Sequence, residues 1–235
     1  QKAMNKLMIA SSPLKNKYIL MKIYMYSLLC LFFFSCGQKR STDEKNAINT
    51  DSVVINTDSV IIDSNPTSVE QIKQRYAIIN DKLKRGLLDS LSFKYDCNQE
   101  RTGTVTYFSD KGELMMIKHT YNEYSHFSAV DQYFISNNKL FFAHLNGASW
   151  SFESGQAAEG ATKDDIIEQR LYVENEKPLL CLEKKYTKRS HSANNPLPAN
   201  VPNKQVKCKP LEAQIKDFNK LVEFESNANH DCLGK

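Results

Sequence analysis

The sequence predicts an α+β fold: a single antiparallel β-meander of six to seven strands, packed with an N-terminal helix and a C-terminal helix. Three observations indicate this fold. Apolar residues recur every three or four positions over residues 68–85, as in an amphipathic helix. The apolar period becomes two over residues 91–186, where one turn design occurs three times. A second helical pattern follows Pro210. We assign these elements to one domain, residues 67–235.

Residues 1–35 are predicted to be an upstream extension followed by an export signal. Lys22 precedes an apolar run over residues 23–35, and the chain becomes polar after it. A positive start, an apolar run and a small residue before the cleavage point are typical of a signal peptide. The run is too short for the roughly 20 residues of a transmembrane helix. The alternative is a buried core helix of the same length.

Cys36 directly follows Ser35 at the end of this run, and the segment therefore resembles a bacterial lipoprotein signal. Phe33 stands where such signals usually have Leu. The resemblance implies that Cys36 becomes the first residue of the mature protein and carries lipid, such as palmitate. It also implies a bacterial cell-envelope protein, anchored by this lipid to the outer membrane.

Residues 36–66 are expected to form a flexible tether between this anchor and the domain. They are polar and contain a short repeat, residues 48–54 followed by residues 55–61. No helical or strand period of useful length occurs in them, which favours an extended linker. The alternative is a β-hairpin or edge strand, because the repeat contains β-branched residues.

The basic charge of the chain belongs to its N-terminal part. The sequence holds 31 Lys and Arg, and five of the Lys lie in residues 1–35, which contain no Asp or Glu. The remaining 26 basic residues face 27 acidic ones. Because the net charge of the mature chain is near zero, we expect no nucleic-acid partner and no electrostatic attraction to an anionic membrane.

The N-terminal helix is predicted over residues 68–85. Thr67 and Glu70 have the spacing of a capping box, and Gly86 is a suitable end. The apolar stripe consists of Val69, Ile72, Tyr76, Ile79 and Leu83. We expect this stripe to pack on the sheet; the alternative is that it binds a partner helix.

Three hairpins are predicted within residues 91–186. Each has a strand end, a polar turn and an apolar strand start, in residues 107–116, 133–142 and 171–180. Gly112, Asn138 and Asn175 are residue types that tolerate positive φ at such turns.

The aromatic–turn–Leu pattern of these segments resembles the repeats of short Bacteroidota cell-envelope lipoproteins. Tyr107-Phe108 and Tyr133-Phe134 lie before the turns, and Leu114 and Leu140 lie after them. The third segment has Pro178 at the position of Leu. The resemblance covers about residues 90–186. It implies an envelope lipoprotein and supplies no catalytic residues.

A proline-rich loop is predicted over residues 188–207, and Pro210 can then begin the last helix. Its predicted apolar side consists of Leu211, Ile215, Phe218 and Val222.

Four cysteines remain after Cys30 in the signal and Cys36 are set aside. They are Cys97, Cys181, Cys208 and Cys232. An even number in an exported protein favours two disulfides, with three connectivities open. Strand alternation turns Cys181 away from its apolar neighbours and toward the C-terminal extension. Four free thiols are the alternative, and no spacing indicates a metal site.

The residues predicted to face a ligand are His119, His144 and Trp150. With Asp131 or Glu123 the two histidines would form an acid–base or metal cluster if they shared one sheet face. The alternative is that each is a satisfied, half-buried sheet histidine. No sequence motif of a known catalytic site accompanies them, and we expect no metal and no cofactor.

The function expected from the sequence is therefore that of a non-enzymatic binding or structural module in the envelope, with a protein or glycan partner. One alternative is an inhibitor of a wall-degrading enzyme such as lysozyme, because Tyr95-x-Cys97 resembles a strand start of lipoprotein lysozyme inhibitors. The other is a histidine-dependent hydrolase.

Overall fold

The computed structural model describes residues 64–155 and 158–233. The predicted signal, Cys36 and nearly all of the predicted tether lie outside these residues. Within them the chain forms one α-helix, eight strands, a short 3-10 helix and a second α-helix. In the same ranges, neither α-helix combines the length and the apolar character needed to cross a membrane.

All eight strands form one antiparallel sheet in chain order, so the predicted α+β meander is confirmed. The strands are β1 (Asp89–Cys97), β2 (Arg101–Asp110), β3 (Glu113–Glu123), β4 (Phe127–Ser136), β5 (Lys139–Phe152), β6 (Thr162–Glu174), β7 (Lys177–Arg189) and β8 (Lys204–Val206). The prediction of six to seven strands omitted β8. Its three residues pair with residues 181–183 of β7, and they are too few to show a strand period in the sequence.

Two-residue turns close the β2–β3, β4–β5 and β6–β7 hairpins. Both residues of each turn have positive φ, between 46° and 84°, which is the backbone of a type I′ turn. The turns are Lys111-Gly112, Asn137-Asn138 and Asn175-Glu176. This confirms the turns predicted at Gly112, Asn138 and Asn175.

Each of these hairpins also contains a β-bulge at the same distance from its turn. The register shifts between Phe108 and Ser109, between Phe134 and Ile135, and between Tyr172 and Val173. The extra residue lies on the returning strand, at Met115, Phe141 and Leu179. Because a bulge adds one residue to one strand only, it reverses the face on which later side chains of that strand lie.

The first helix, α1 (Val69–Lys84), covers the turn end of one sheet face, which we call the α1 face. Ile72 and Ile79 are fully buried, and Tyr76 packs edge-on against Phe134 and Phe142. The helix begins one residue later than the capping pattern predicted. Its N-cap is Ser68, whose hydroxyl accepts a hydrogen bond from the backbone N–H of Gln71 at 3.3 Å.

The second helix, α2 (Glu212–Glu225), covers the opposite face at the same end, which we call the α2 face. The Tyr107 hydroxyl donates a hydrogen bond to the carbonyl oxygen of Leu221 at 2.6 Å. The buried residues of α2 are Phe218, Leu221 and Phe224, whereas Val222 is exposed. The predicted stripe was therefore displaced by one residue in the last turn.

Two disulfides tie the α2 segment to the sheet. Cys181 of β7 is bonded to Cys208, which precedes α2. Cys97 of β1 is bonded to Cys232, which follows it. The prediction of two disulfides is confirmed, and the structure selects one of the three connectivities.

The burial of the α1 stripe predicts the effect of truncating it. Replacing Ile72 or Ile79 with Ala removes fully buried methyl groups, and we expect a loss of about 2–5 kcal/mol in the free energy of unfolding. The exposed Lys73, replaced with Ala, should cost under roughly 0.5 kcal/mol. Urea unfolding at constant m-value measures both, and similar midpoints for the two classes of variant would contradict the packing described above.

Candidate functional site

His119 and His144 lie on opposite faces of the sheet. His119 belongs to the α2 face, beside Tyr95 and Tyr121. His144 lies opposite Gln132 and Arg170 on the α1 face. The two histidines therefore form no common cluster, because the sheet separates them.

His119 is the centre of a buried polar cluster. Its Nε2 lies 2.7 Å from the Tyr95 hydroxyl, and its ring stacks on Tyr121 with 4.3 Å between centroids. The Arg101 guanidinium lies over the Tyr121 ring, 4.5 Å from its centroid. Asp131 is the cross-strand neighbour of His119. Both side chains are packed in the core, with His119 only 3% exposed.

A glycine makes this packing feasible. Gly103 lies opposite Tyr95 on β2, and a Cβ atom there would lie 2.6 Å from the tyrosine hydroxyl oxygen. Because no side chain occupies this position, the Tyr95 ring crosses β2 and reaches His119 on β3.

Burial dominates the protonation of the cluster. It lowers the pKa of His119 to about 3, and the Arg101 cation acts in the same direction. It raises the pKa of Asp131 to about 6, although hydrogen bonds from the Asn146 backbone and the Tyr121 hydroxyl oppose the shift. His119 is thus neutral at neutral pH. A general base must reach a proton of its substrate, and only 3% of His119 is exposed for such a contact.

His144 belongs to a second cluster, centred on Glu168. One carboxylate oxygen of Glu168 lies 3.0 Å from His144 Nε2 and 3.1 Å from Arg170 Nη2. The other accepts a hydrogen bond from Lys184 at 3.0 Å. Burial would raise the pKa of Glu168, but the Lys184 and His144 contacts outweigh it and lower the pKa. Burial lowers the pKa of His144. The carboxylate is therefore occupied by protein groups.

Trp150 lies farther from α1 on the same face. Its indole N–H donates to the carbonyl oxygen of Ser125, and its ring contacts His126 at 4.4 Å between centroids. Phe152, which is 66% exposed, packs edge-on against it at 5.4 Å. Trp150 thus forms a small aromatic group at the end of the sheet, separate from both histidine clusters.

Between α1 and Trp150, the α1 face presents two rows of small polar residues, which we call the open face. One row is Thr104, Thr120, Val130 and Asn146, and the next is Thr102, Asn122, Ser128 and Ala148, each read across β2–β5. These residues are exposed or half-exposed. Lys94 and Asp96 of β1 border them and line, with the threonines, a shallow hollow of about 720 Å³.

The polar side chains of the open face have no hydrogen-bond partner within the described residues. They are Thr102, Thr104, Thr120, Asn122, Ser128 and Asn146. By contrast, Thr106 beside them is paired with Ser92 at 2.9 Å. The open face therefore offers a regular array of hydroxyl and amide groups, which strands place about 4.8 Å apart.

Sequence reasoning missed the open face, although a signal was present. Thr102, Thr104 and Thr106 alternate with Gly103 and Val105, which predicts a polar face along β2. No group of three His, Cys, Asp or Glu residues suited to hold a metal ion occurs in residues 64–155 and 158–233.

The raised pKa of Asp131 predicts a pH-dependent stability. The pKa of the Asp131 carboxyl is about 6 in the folded state and near 3.8 in the unfolded state, so the folded state holds the proton more tightly. Asp131 therefore lowers the free energy of unfolding as the pH rises from about 4 toward about 6. Asp131→Asn should match the wild type near pH 4 and exceed it by roughly 1–3 kcal/mol near pH 7. Urea unfolding across this pH range measures the difference.

His119 is present in both the wild type and the variant. Its lowered pKa makes stability rise with pH, and this contribution cancels when the two proteins are compared. Asp164→Asn, at an exposed position, is the control. The difference between its free energy of unfolding and that of the wild type should stay constant across this pH range. A constant difference for Asp131→Asn would contradict the assignment.

The comparisons with known proteins add no relative to this geometry. No protein-family model matches the chain, and no curated protein or solved structure is similar enough to it to count as a match.

Proposed function

We propose that this protein is an exported, lipid-anchored protein of the bacterial outer membrane, and that its domain is a non-enzymatic binding module for a glycan. Export is supported by the signal-like residues 21–36 and by the pairing of four cysteines in two disulfides. Disulfides of this kind persist in oxidising compartments outside the cytosol.

The observation that carries the binding proposal is the unpaired hydroxyl and amide array of the open face. Groups that make no internal hydrogen bond are free to bind a ligand rich in hydroxyls. A protein partner would need a desolvated apolar or aromatic anchor near the centre of its interface. Val130 is the one large apolar residue within the two rows, so the chemistry favours a glycan.

The two alternatives receive less support. The inhibitor alternative depends on the Tyr95-x-Cys97 pattern. Tyr95 is only 4% exposed, and Cys97 is bonded to Cys232. Neither is presented to an enzyme. The hydrolase alternative requires His119 and His144 to act together, and they lie on opposite faces.

The anchor is tested by mass spectrometry of protein purified from membranes. We expect a chain that begins at Cys36 with lipid attached to it. A Cys36→Ser variant should no longer partition with membranes after processing. Recovery of intact residues 1–35, or unchanged partitioning of the variant, would contradict the anchor.

The open face is tested with a glycan array and then by calorimetry on the glycans retained. Thr104→Val and Thr120→Val keep the side-chain shape and remove two hydroxyls. Because a hydrogen bond contributes about 0.5–1.5 kcal/mol, the double variant should bind about tenfold more weakly or worse.

Thr187→Val is the matched control, since the Thr187 hydroxyl is already paired with Asp165 on the α2 face at 2.6 Å. It should bind as the wild type does. Equal losses in the control and the double variant, or no glycan retained by the array, would reject the glycan proposal.

A further inference from the structure

Residues 184–209, which we call the basic segment, concentrate the positive charge of the domain. They contain seven Lys and Arg, together with His191, and no Asp or Glu. The rest of residues 64–233 holds 22 acidic residues against 15 basic ones. The near-zero net charge of the mature chain therefore hides a separation of charge.

Part of this positive charge forms no ion pair within the described residues. Lys184 is bound to Glu168, Lys185 to Glu183 at 2.7 Å, and Arg189 to Glu153 at 2.5 Å. The others form no ion pair with a carboxylate in the part of the chain that the structure describes. These unpaired residues are Lys188, Lys204, Lys207 and Lys209.

The loop within the basic segment exposes an apolar residue to solvent. Leu197 is 65% exposed and stands between two prolines. Asn195 fixes the start of the loop, because its side chain accepts from the Arg189 N–H at 2.7 Å and donates to the Arg189 carbonyl at 2.8 Å. Lys184 donates to the carbonyl oxygen of Pro198 at 3.2 Å. The exposure of Leu197 is thus built into an ordered loop.

We propose that the basic segment binds the anionic headgroups of a membrane, with Leu197 entering the interface. Unpaired lysines attract anionic lipids, and an apolar side chain among them adds interfacial burial. The inference rests on the proposed anchor, which brings the domain to a membrane.

The test is hydrogen–deuterium exchange on the full lipidated protein, reconstituted into two kinds of vesicle. One contains phosphatidylglycerol and phosphatidylcholine in equal parts, and the other contains phosphatidylcholine alone. The anchor holds the protein to both. We expect the amides of residues 190–203 to exchange severalfold more slowly on the anionic vesicles, and high salt should remove this protection.

Replacing Lys204, Lys207 and Lys209 with Gln should abolish the protection, and Leu197→Ser should weaken it. Gln at the exposed Lys84, Lys111 and Lys216 gives the same change in net charge and should leave the protection intact. Urea midpoints confirm that all variants fold.

Three results would overturn the inference. The first is equal exchange on both vesicles, and the second is an equal loss of protection in the control variant. The third is protection by soluble dextran sulfate but not by anionic vesicles, which would assign the basic segment to an acidic glycan. Failure of the anchor is distinguishable, because the protein would then no longer bind the vesicles of phosphatidylcholine alone.

Discussion

The repeated hairpin, a type I′ turn followed by a bulge at a fixed distance, determines where the rest of the domain can pack. In each copy the two cross-strand residue pairs next to the bulge place apolar side chains on both faces of the sheet, one pair on each face. Phe134 and Phe142 meet α1, while Tyr133 and Ala143 meet α2. Three copies in adjacent hairpins align these side chains into an apolar band at the turn end. Both helices therefore cover that end, and the other end of the α1 face stays open.

The two polar clusters differ in their consequences for the fold. Glu168 is surrounded by Lys184, Arg170 and His144, so its charge is compensated where it is buried. Asp131 accepts hydrogen bonds but forms no ion pair with a basic residue in the described ranges, and its burial raises its pKa. Buried charges without a counter-ion are costly, and stable packing nearby must offset that cost. The Tyr95 and Tyr133 rings on the same face supply such packing.

The predictable parts of the fold were those with a strong local signal. Gly112, Asn138 and Asn175 marked the turns because few residue types accept positive φ. The faces of the strands were harder. Leu140 and Phe142 are two residues apart, yet the bulge at Phe141 places them on opposite faces. Simple alternation therefore left open the possibility that His119 and His144 share a face. A bulge depends on cross-strand pairing, which single-strand patterns do not contain.

The two disulfides join the segment carrying α2 to strands near both edges of the sheet. Together with the backbone they close a covalent ring: from Cys97 along the chain to Cys181, across to Cys208, through α2 to Cys232, and back to Cys97. Strands β2 to β6 lie wholly within this ring, β1 ends in it and β7 begins in it, while β8 lies in the loop between Cys181 and Cys208. A cut in residues 190–203 would leave the two resulting pieces joined at both bonds. The two disulfides thus restrict the conformations open to the oxidised chain when its secondary structure is lost, which limits the entropy that refolding must overcome.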